Sequence, residues 1–338
     1  MKKVISAVMA GAMALGLTAC GGSAASSAPA AASSAAAGST AAAADGKTYT
    51  IGICQLVQHP ALDAATQGFK DALTEKLGDA VKFDEQNANG DAPTAATICN
   101  GFVSGNVDLI LANATAPLQS AAAATSTIPV LGTSVTDYAT ALSIDDWTGV
   151  VGSNISGTSD LAPLDEQAAM LNELFPDAKN VGILYCSAEA NSKYQSDVVT
   201  EALENLGYTV NVYTFSDSND VASVTQTACD ASDVLYIPTD NTAASNTEAI
   251  NNVARPAGVP IVAGEEGICS GCGVATLSIR YYDLGTVTGE MAYDILVNGA
   301  DVSTMAVQYA PQVTKKYDAE RCEALGITVP EGYEAIEG

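Results

Sequence analysis

From Lys47 onward the chain alternates short runs of β-branched and aliphatic residues with longer stretches in which apolar positions recur every three or four residues. TYTIGICQLV (48–57) reads as a strand. Leu62, Ala65, Phe69, Ala72, Leu73 and Leu77 then share one helical face, which Gly78 closes. VKFDEQ (81–86), APTAATICNGFVSG (92–105), VDLILAN (107–113), APLQSAAAATS (116–126) and IPVLGTSV (128–135) continue the alternation. Strand followed by helix, repeated, predicts a parallel sheet, because parallel neighbours need a crossover long enough to hold a helix. After 148–154 the pattern restarts: helix 161–176, strand 180–186, helix 190–207 ending on Gly207, then 208–215, 220–230, 233–239, 241–258 and 259–264. GVATLSIRYY (273–282) is a further strand, LGTVTGEMAYDILVNG (284–299) a helix and MAVQYAP (305–311) a closing strand. About 290 residues is long for one α/β layer and natural for two lobes. The expected fold is therefore α/β, two doubly wound parallel-sheet lobes joined by a hinge. We place the N-lobe at 47–154 plus 266–307 and the C-lobe at 155–265 plus 308–338.

The first residues follow a different pattern. Lys2 and Lys3 precede an apolar stretch, residues 4–17, that is too short and too rich in small side chains for a membrane span. Leu17-Thr18-Ala19-Cys20 resembles the bacterial lipobox, which predicts a signal peptide over 1–19 and a lipid on the Cys20 thiol. Two or more acyl chains anchor a protein stably where one would be marginal. Residues 20–46 hold no aliphatic side chain larger than alanine, so they cannot repay the entropy of ordering and read as a flexible linker. The expected location is the extracytoplasmic face of the cell membrane, by lipid anchor.

Charge excludes several partners. The chain carries 39 acidic against 13 basic residues, a net −26, and loss of Lys2 and Lys3 moves the balance two further to the acidic side. Nucleic acid and anionic lipid both need Lys/Arg clusters, so neither is expected to bind. Seven cysteines follow Cys20: Cys54, Cys99, Cys186, Cys229, Cys269, Cys272 and Cys322. Cys54 and Cys186 lie in apolar strand-like runs, where a thiol behaves as a small hydrophobe. Cys269-Ser270-Gly271-Cys272 leaves a local disulfide and free thiols open. With His59 the only histidine, it is a poor zinc site, because structural zinc takes four ligands.

In a two-lobe α/β protein the ligand lies outside the carboxyl ends of the strands, so the loops that follow each strand carry the chemistry. They offer Gln55, Leu56 and His59; Thr115; Thr136 and Asp137; Glu189, Asn191 and Ser192; Asp240 and Asn241. Each has a simpler account, since Ser, Thr, Asp and Asn are the preferred helix N-caps. Together they suit a zwitterionic amino acid. Thr115, Thr136 and Ser192, beside helix N-termini, would meet its carboxylate, and Asp137, Glu189 or Asp240 its ammonium. Leu56, Tyr281 and Tyr282 would wall its side chain. The candidate ligand-binding set is Gln55, His59, Thr115, Thr136, Asp137, Glu189, Asn191, Ser192, Asp240, Asn241 and Tyr282.

The runs QLVQHPALDAATQGFKDAL (55–73), NANGD (87–91), ATAPLQ (114–119), VTD (135–137), EANS (189–192), PTDN (238–241) and YYDLGTVTGEMA (281–292) resemble one family of ABC-transporter substrate-binding lipoproteins. That family is associated with tryptophan and related aromatic or hydrophobic amino acids, and the resemblance spans about residues 48–330. It implies the type I periplasmic-binding-protein fold, with three crossovers between lobes, and a cleft lined by the HP, ATAP, VTD, EANS and PTDN loops. It also implies an ABC permease as partner. Two positions depart from the family pattern: Tyr138 follows VTD where proline is expected, setting a bulky ring near the hinge side of the cleft, and the CxxC precedes GVAT.

A sugar or nucleoside ligand is the alternative within this class, although the only tryptophan, Trp147, lies outside the strand-end loops. A ligand sensor is a second alternative. An enzyme is not expected. The chain has no Gly-x-Ser-x-Gly and no phosphate-cradling loop with lysine, and His59 is followed by Pro60 rather than by a nucleophile. No cofactor or metal is expected, and the protein is expected to be a monomer.

Overall fold

The computed structural model describes residues 46–310 and 312–336. The expected signal peptide, Cys20 and nearly all of the linker lie outside the described residues. The chain begins β1 (Tyr49–Gln55), α1 (Pro60–Leu77), β2 (Val81–Asn87), α2 (Ala92–Ser104), β3 (Leu109–Asn113), α3 (Thr115–Ala124), β4 (Val130–Val135), α4 (Tyr138–Leu142) and β5 (Ile155–Ser159). These strands make one parallel sheet. It then crosses to α5 (Leu164–Leu174), β6 (Asn180–Cys186), α6 (Ala190–Asn205), β7 (Thr209–Phe215), α7 (Val221–Ala231) and β8 (Val234–Ile237). α8 (Asn241–Ala244), α9 (Thr247–Ala257), β9 (Ile261–Ala263), α10 (Glu266–Cys272) and β10 (Ala275–Ser278) complete that run. The chain returns to the first lobe for α11 (Tyr281–Leu296) and β11 (Gln308–Tyr309), then crosses again for β12 (Thr314–Tyr317), α12 (Ala319–Ala324) and β13 (Glu334–Ala335).

Among the described residues the first sheet runs β11-β5-β4-β3-β1-β2 and the second β13-β12-β10-β9-β8-β6-β7. Every strand pair is parallel except β10–β12. LILAN in β3 and VLYI in β8 are buried along their whole length. Helices cover both faces of such central strands, so they read as continuous apolar runs rather than alternating ones. Two α/β lobes joined by three crossovers are the expected architecture.

The lobe boundaries differ from those drawn on sequence. Residues 155–159 pair with β4, Ile155 opposite Val130, and so belong to the first sheet instead of opening the second lobe. ISGTS carries one large apolar side chain, so no hydrophobic run marks it as a strand, yet all five residues are buried. Residues 266–278 belong to the second lobe, where β10 pairs with β9, while β11 at 308–309 pairs with β5 in the first. Within 308–338, which the sequence already assigns to the second lobe, the structure forms β12, α12 and β13, which have no periodic signal. Tyr281 and Tyr282 open α11 and do not extend a strand. Among the described residues no helix is long and apolar enough to cross a membrane.

Two packing features fix the first lobe. α1 and α11 lie so close that a Cβ on Gly285 would sit 1.9 Å from the Ala65 carbonyl oxygen, and one on Gly68 2.1 Å from that of Tyr282. Tyr138, expected at the cleft, instead turns inward. Its ring stacks on Trp147 at 6.4 Å, and its hydroxyl donates to the Thr158 carbonyl at 3.2 Å. A Cβ on Gly132 or Gly157 would come within 2.3 or 2.4 Å of that hydroxyl, so the two glycines make the space the ring fills.

Candidate ligand-binding cleft

The carboxyl ends of the two sheets face each other. A cavity of about 600 Å³ is lined by Leu56, Asn89 and Ala116 from the first lobe and by Glu189, Ser216 and Asn241 from the second. Its size lies within the range of small-molecule sites. The lobes also touch directly, His59 Nε2 lying 3.2 Å from Asn241 Oδ1.

The second lobe's loops form a closed hydrogen-bond network. Glu189 accepts from the Asn241 and Thr242 backbone amides at 3.0 and 2.8 Å, the Asn241 side chain at 2.7 Å and the Thr242 hydroxyl at 2.8 Å. Asp240 caps α8 through Ala243 N at 2.7 Å, and its other oxygen accepts from Cys186 N and the Ser192 hydroxyl, both at 2.7 Å. Asn191 donates to Glu189, Ser192 and the Thr239 carbonyl. Burial first, then the Glu189 carboxylate, pushes the Asp240 carboxyl up. These carboxylates hold strand ends to helix starts within one lobe, and every oxygen of both already has a hydrogen-bond partner.

In the first lobe Asp137 caps α4 by accepting from Thr140 N at 2.7 Å. Gln55 is equally occupied. It donates to Asp63 at 2.7 Å and accepts from the Thr66 hydroxyl at 2.7 Å, tying β1 to α1. Tyr282 lies on the surface, 40% exposed, with its hydroxyl on Asp71 at 3.0 Å. Its register on α11 points it away from the cleft and sends Tyr281 inward.

The carboxyl edge of the first sheet is different in kind. Six buried side-chain polar atoms among the described residues have no hydrogen-bond partner, and four lie in this edge: His59 Nδ1, Asn113 Oδ1, Ser134 Oγ and Asp160 Oδ1. Such atoms carry a full desolvation cost, so a concentration of them marks a place where partners arrive from elsewhere. The backbone is strained at the same edge. Ala114 has φ 102° and Ser134 φ 53°, conformations that residues with a Cβ seldom adopt and that gather at functional sites. Two of the helices behind it start without a side-chain cap. In the first lobe no side chain caps α1 or α3, whereas Asp91 and Asp137 cap α2 and α4. Thr115, buried at the start of α3, and Thr136, buried after β4, stand at this edge. Burial pushes the His59 imidazole below its ordinary value, so the ring is neutral near pH 7. Asn241 donates through its amide nitrogen to Glu189, which turns Oδ1 toward His59. Nε2 therefore carries the proton, and Nδ1 is an open acceptor.

Asp160, absent from the sequence-derived set, is the acid at this edge. It directly follows β5, the strand that the sequence pattern hides. Tyr281 OH donates to its Oδ2 at 2.9 Å. Burial pushes its carboxyl up to about 6, against the Tyr281 hydrogen bond and the nearby Thr136 hydroxyl, which favour the charged form.

The CxxC cysteines lie in the last turn of α10, not in a loop. All seven described cysteines are free and buried. Burial pushes the Cys272 thiol up to about 12, which leaves it protonated and inert.

The profile of the ABC transporter substrate-binding protein family matches residues 50–335. The chain belongs to that family. Members are extracytoplasmic proteins that take up a small molecule and present it to an ABC permease; they are not enzymes. This substrate-binding protein is 39% identical over 259 residues to a tyrosine-binding protein of Clostridioides difficile (strain R20291), covering 74% of this chain and 73% of the relative. An ABC domain from Streptococcus pneumonia, solved in complex with L-Trp, is 31% identical. It has a TM-score of 0.81, over 86% of this chain and all of that one. The ligand-free, open structure of a Clostridium difficile substrate-binding protein with adhesive properties is 37% identical. Its TM-score is only 0.65, over 86% of this chain and 99% of that one. The backbone thus agrees better with the L-Trp-bound chain than with the more similar open one.

Proposed function

We propose that this protein binds an aromatic amino acid in the cleft between its lobes and delivers it to an ABC importer, tethered to the membrane by lipid on Cys20. The concentration of unpartnered buried polar atoms along the carboxyl edge of the first sheet carries this reading. A zwitterion supplies what they lack: three N–H donors at one end, and two acceptor oxygens for hydroxyls and uncapped helix amides at the other. Leu56, Val57 and Ala116 supply apolar wall in the cavity between the lobes. The tyrosine- and tryptophan-binding relatives support an aromatic side chain. Trp147 packs against Tyr138 in the first lobe's core, which leaves no tryptophan to stack on a sugar ring. The protein acts as a monomer in this reading.

The test is thermal unfolding of residues 40–338, one compact unit, against amino acids, sugars and nucleosides. A ligand that binds only the folded state stabilises it by about 2.7 kcal/mol at a hundredfold excess over Kd. Tyrosine, tryptophan or phenylalanine is expected to raise Tm. A response to sugars or nucleosides alone would overturn the ligand class and leave the transport role standing. For the anchor, Cys20→Ala in the full-length protein should move it from the membrane to the soluble fraction; unchanged fractionation would refute lipidation.

A further inference from the structure

Four acids are buried where strand-end loops of the two lobes meet: Asp160, Glu189, Asp240 and Glu265. In three of them every oxygen has a hydrogen-bond partner. Glu189 and Asp240 bind loop and helix donors of the second lobe, and Glu265 caps α10 through the Gly267 and Ile268 amides. Only Asp160 keeps an oxygen without a partner. It is 4% exposed, and among the described residues no lysine, arginine or histidine pairs with it. A buried carboxylate with neither a cation nor a full set of donors is costly, and folds retain one only where something offsets that cost.

The surroundings give the missing partner its character. Tyr281, at the start of α11, holds Oδ2 and so fixes the direction of Oδ1. The Tyr281 hydroxyl is also within hydrogen-bonding reach of Thr239, at the end of β8 in the other lobe. The remaining groups that face Asp160 are the Thr136 hydroxyl after β4, Tyr138 from α4 and the Glu265 carboxyl ahead of α10. All are neutral hydroxyls or acids, so the neighbourhood attracts positive charge. Asp160 also stands on the first crossover between lobes and Tyr281 directly after the second, so the free oxygen lies beside the connections about which the lobes would hinge.

We infer that Asp160 receives the ammonium group of the amino-acid ligand through Oδ1, with Tyr281 as the positioning residue that aims it. The assignment rests on the reading of the ligand as an amino acid. It replaces Asp137, Glu189 and Asp240, the acids to which the sequence pattern gives this role. The ammonium donates to an ionised carboxylate, so binding weakens as Asp160 takes up a proton, about tenfold per pH unit once the pH is below its pKa.

Calorimetry with purified protein tests this using L-tyrosine and L-tryptophan beside 3-(4-hydroxyphenyl)propionate and indole-3-propionate, which keep ring and carboxylate but lack the ammonium. The wild-type protein should prefer the amino acids strongly. Asp160→Asn should weaken them by roughly a hundredfold or more while leaving the des-amino analogues unchanged, so that the preference collapses. Tyr281→Phe should weaken the amino acids less and move the acid limb of their pH profile upward, because the ionised form loses a hydrogen bond. A purely structural tyrosine would not move that limb. If Asp160→Asn does not fold, the wild-type pH profile decides. Amino-acid affinity that falls below pH 6 while analogue affinity holds supports the assignment, and parallel profiles overturn it. An Asp160→Asn protein that keeps the full preference overturns the role of Asp160 and leaves the amino-acid reading intact. A wild-type protein that binds no aromatic amino acid removes both.

Discussion

Both oxygens of Asp240 are engaged by donors from three different places, β6, α6 and α8, and that fixes what its loss should do. In Asp240→Ala the cap of α8 disappears, and Cys186 N and the Ser192 hydroxyl lose their acceptor inside a closed network. We expect about 2–4 kcal/mol less stability in denaturant unfolding. Affinity should drop equally for an amino acid and its des-amino analogue. Intact stability with a selective loss of the amino acid would make Asp240 the ammonium partner after all. The sequence makes Asp137, Glu189 and Asp240 visible as acids beside helix starts, but a cap and a ligand-binding acid look alike in one dimension. What separates them is whether both oxygens are already engaged, and that depends on residues up to 54 positions away, as between Cys186 and Asp240. Asp160 was hidden for another reason. A strand-end residue is found by finding the strand, and ISGTS is buried by small side chains that leave no hydrophobic signature.

The seam between α1 and α11 sets the geometry of the first lobe at the level of elements. Gly285 faces the Ala65 carbonyl oxygen so closely that any side chain must force the helices apart. Gly285→Ala should therefore cost about 3 kcal/mol, at the upper end of overpacking, in equilibrium unfolding. Gly101 on α2 provides the control, since nothing lies within 4 Å of its missing Cβ. Gly101→Ala should stabilise by about 0.5–1 kcal/mol, through helix propensity and a less flexible unfolded chain. Equal effects at the two sites would mean that the seam is looser than its geometry indicates. Long amphipathic helices such as α1 and α6, and apolar strands such as β3 and β8, were legible because burial of one face or of both leaves a periodic trace. Tyr281 and Tyr282 show the limit of that trace. Their β-favouring aromatic side chains suggested a strand, but tertiary packing against α1 makes them the first turn of a helix.

For the whole molecule, acid should raise the stability of the empty protein while shrinking the increment that ligand adds. Burial holds the carboxyls of Asp160 at about 6 and Glu265 at about 7, and raises that of Asp240, against ordinary values of 3.8 to 4.5. Between pH 7 and 5 the folded protein therefore binds protons that the unfolded chain has released, and stability rises as pH falls, by up to about 1.4 kcal/mol per pH unit for each acid involved. Neutralisation also relieves the self-repulsion of a chain with net charge −26. His59 opposes the trend. Its lowered pKa means that only the unfolded chain takes its proton near pH 6, but it is one group against three. Below about pH 4 the balance reverses, because Asp233, whose carboxyl is held down by the Asn180 and Lys179 amides, must give up those bonds. Tm of the ligand-free protein should thus be higher at pH 5.5 than at pH 8. The further rise produced by a saturating aromatic amino acid should be smaller at pH 5.5, because its ammonium then meets a partly protonated Asp160. Scanning calorimetry at the two pH values, with and without ligand, measures both slopes in one experiment. A ligand-free Tm that falls toward pH 5.5 would mean that the buried carboxyls are ionised and paired in the native state. A ligand increment independent of pH would separate ligand binding from every acid in the cleft, Asp160 first.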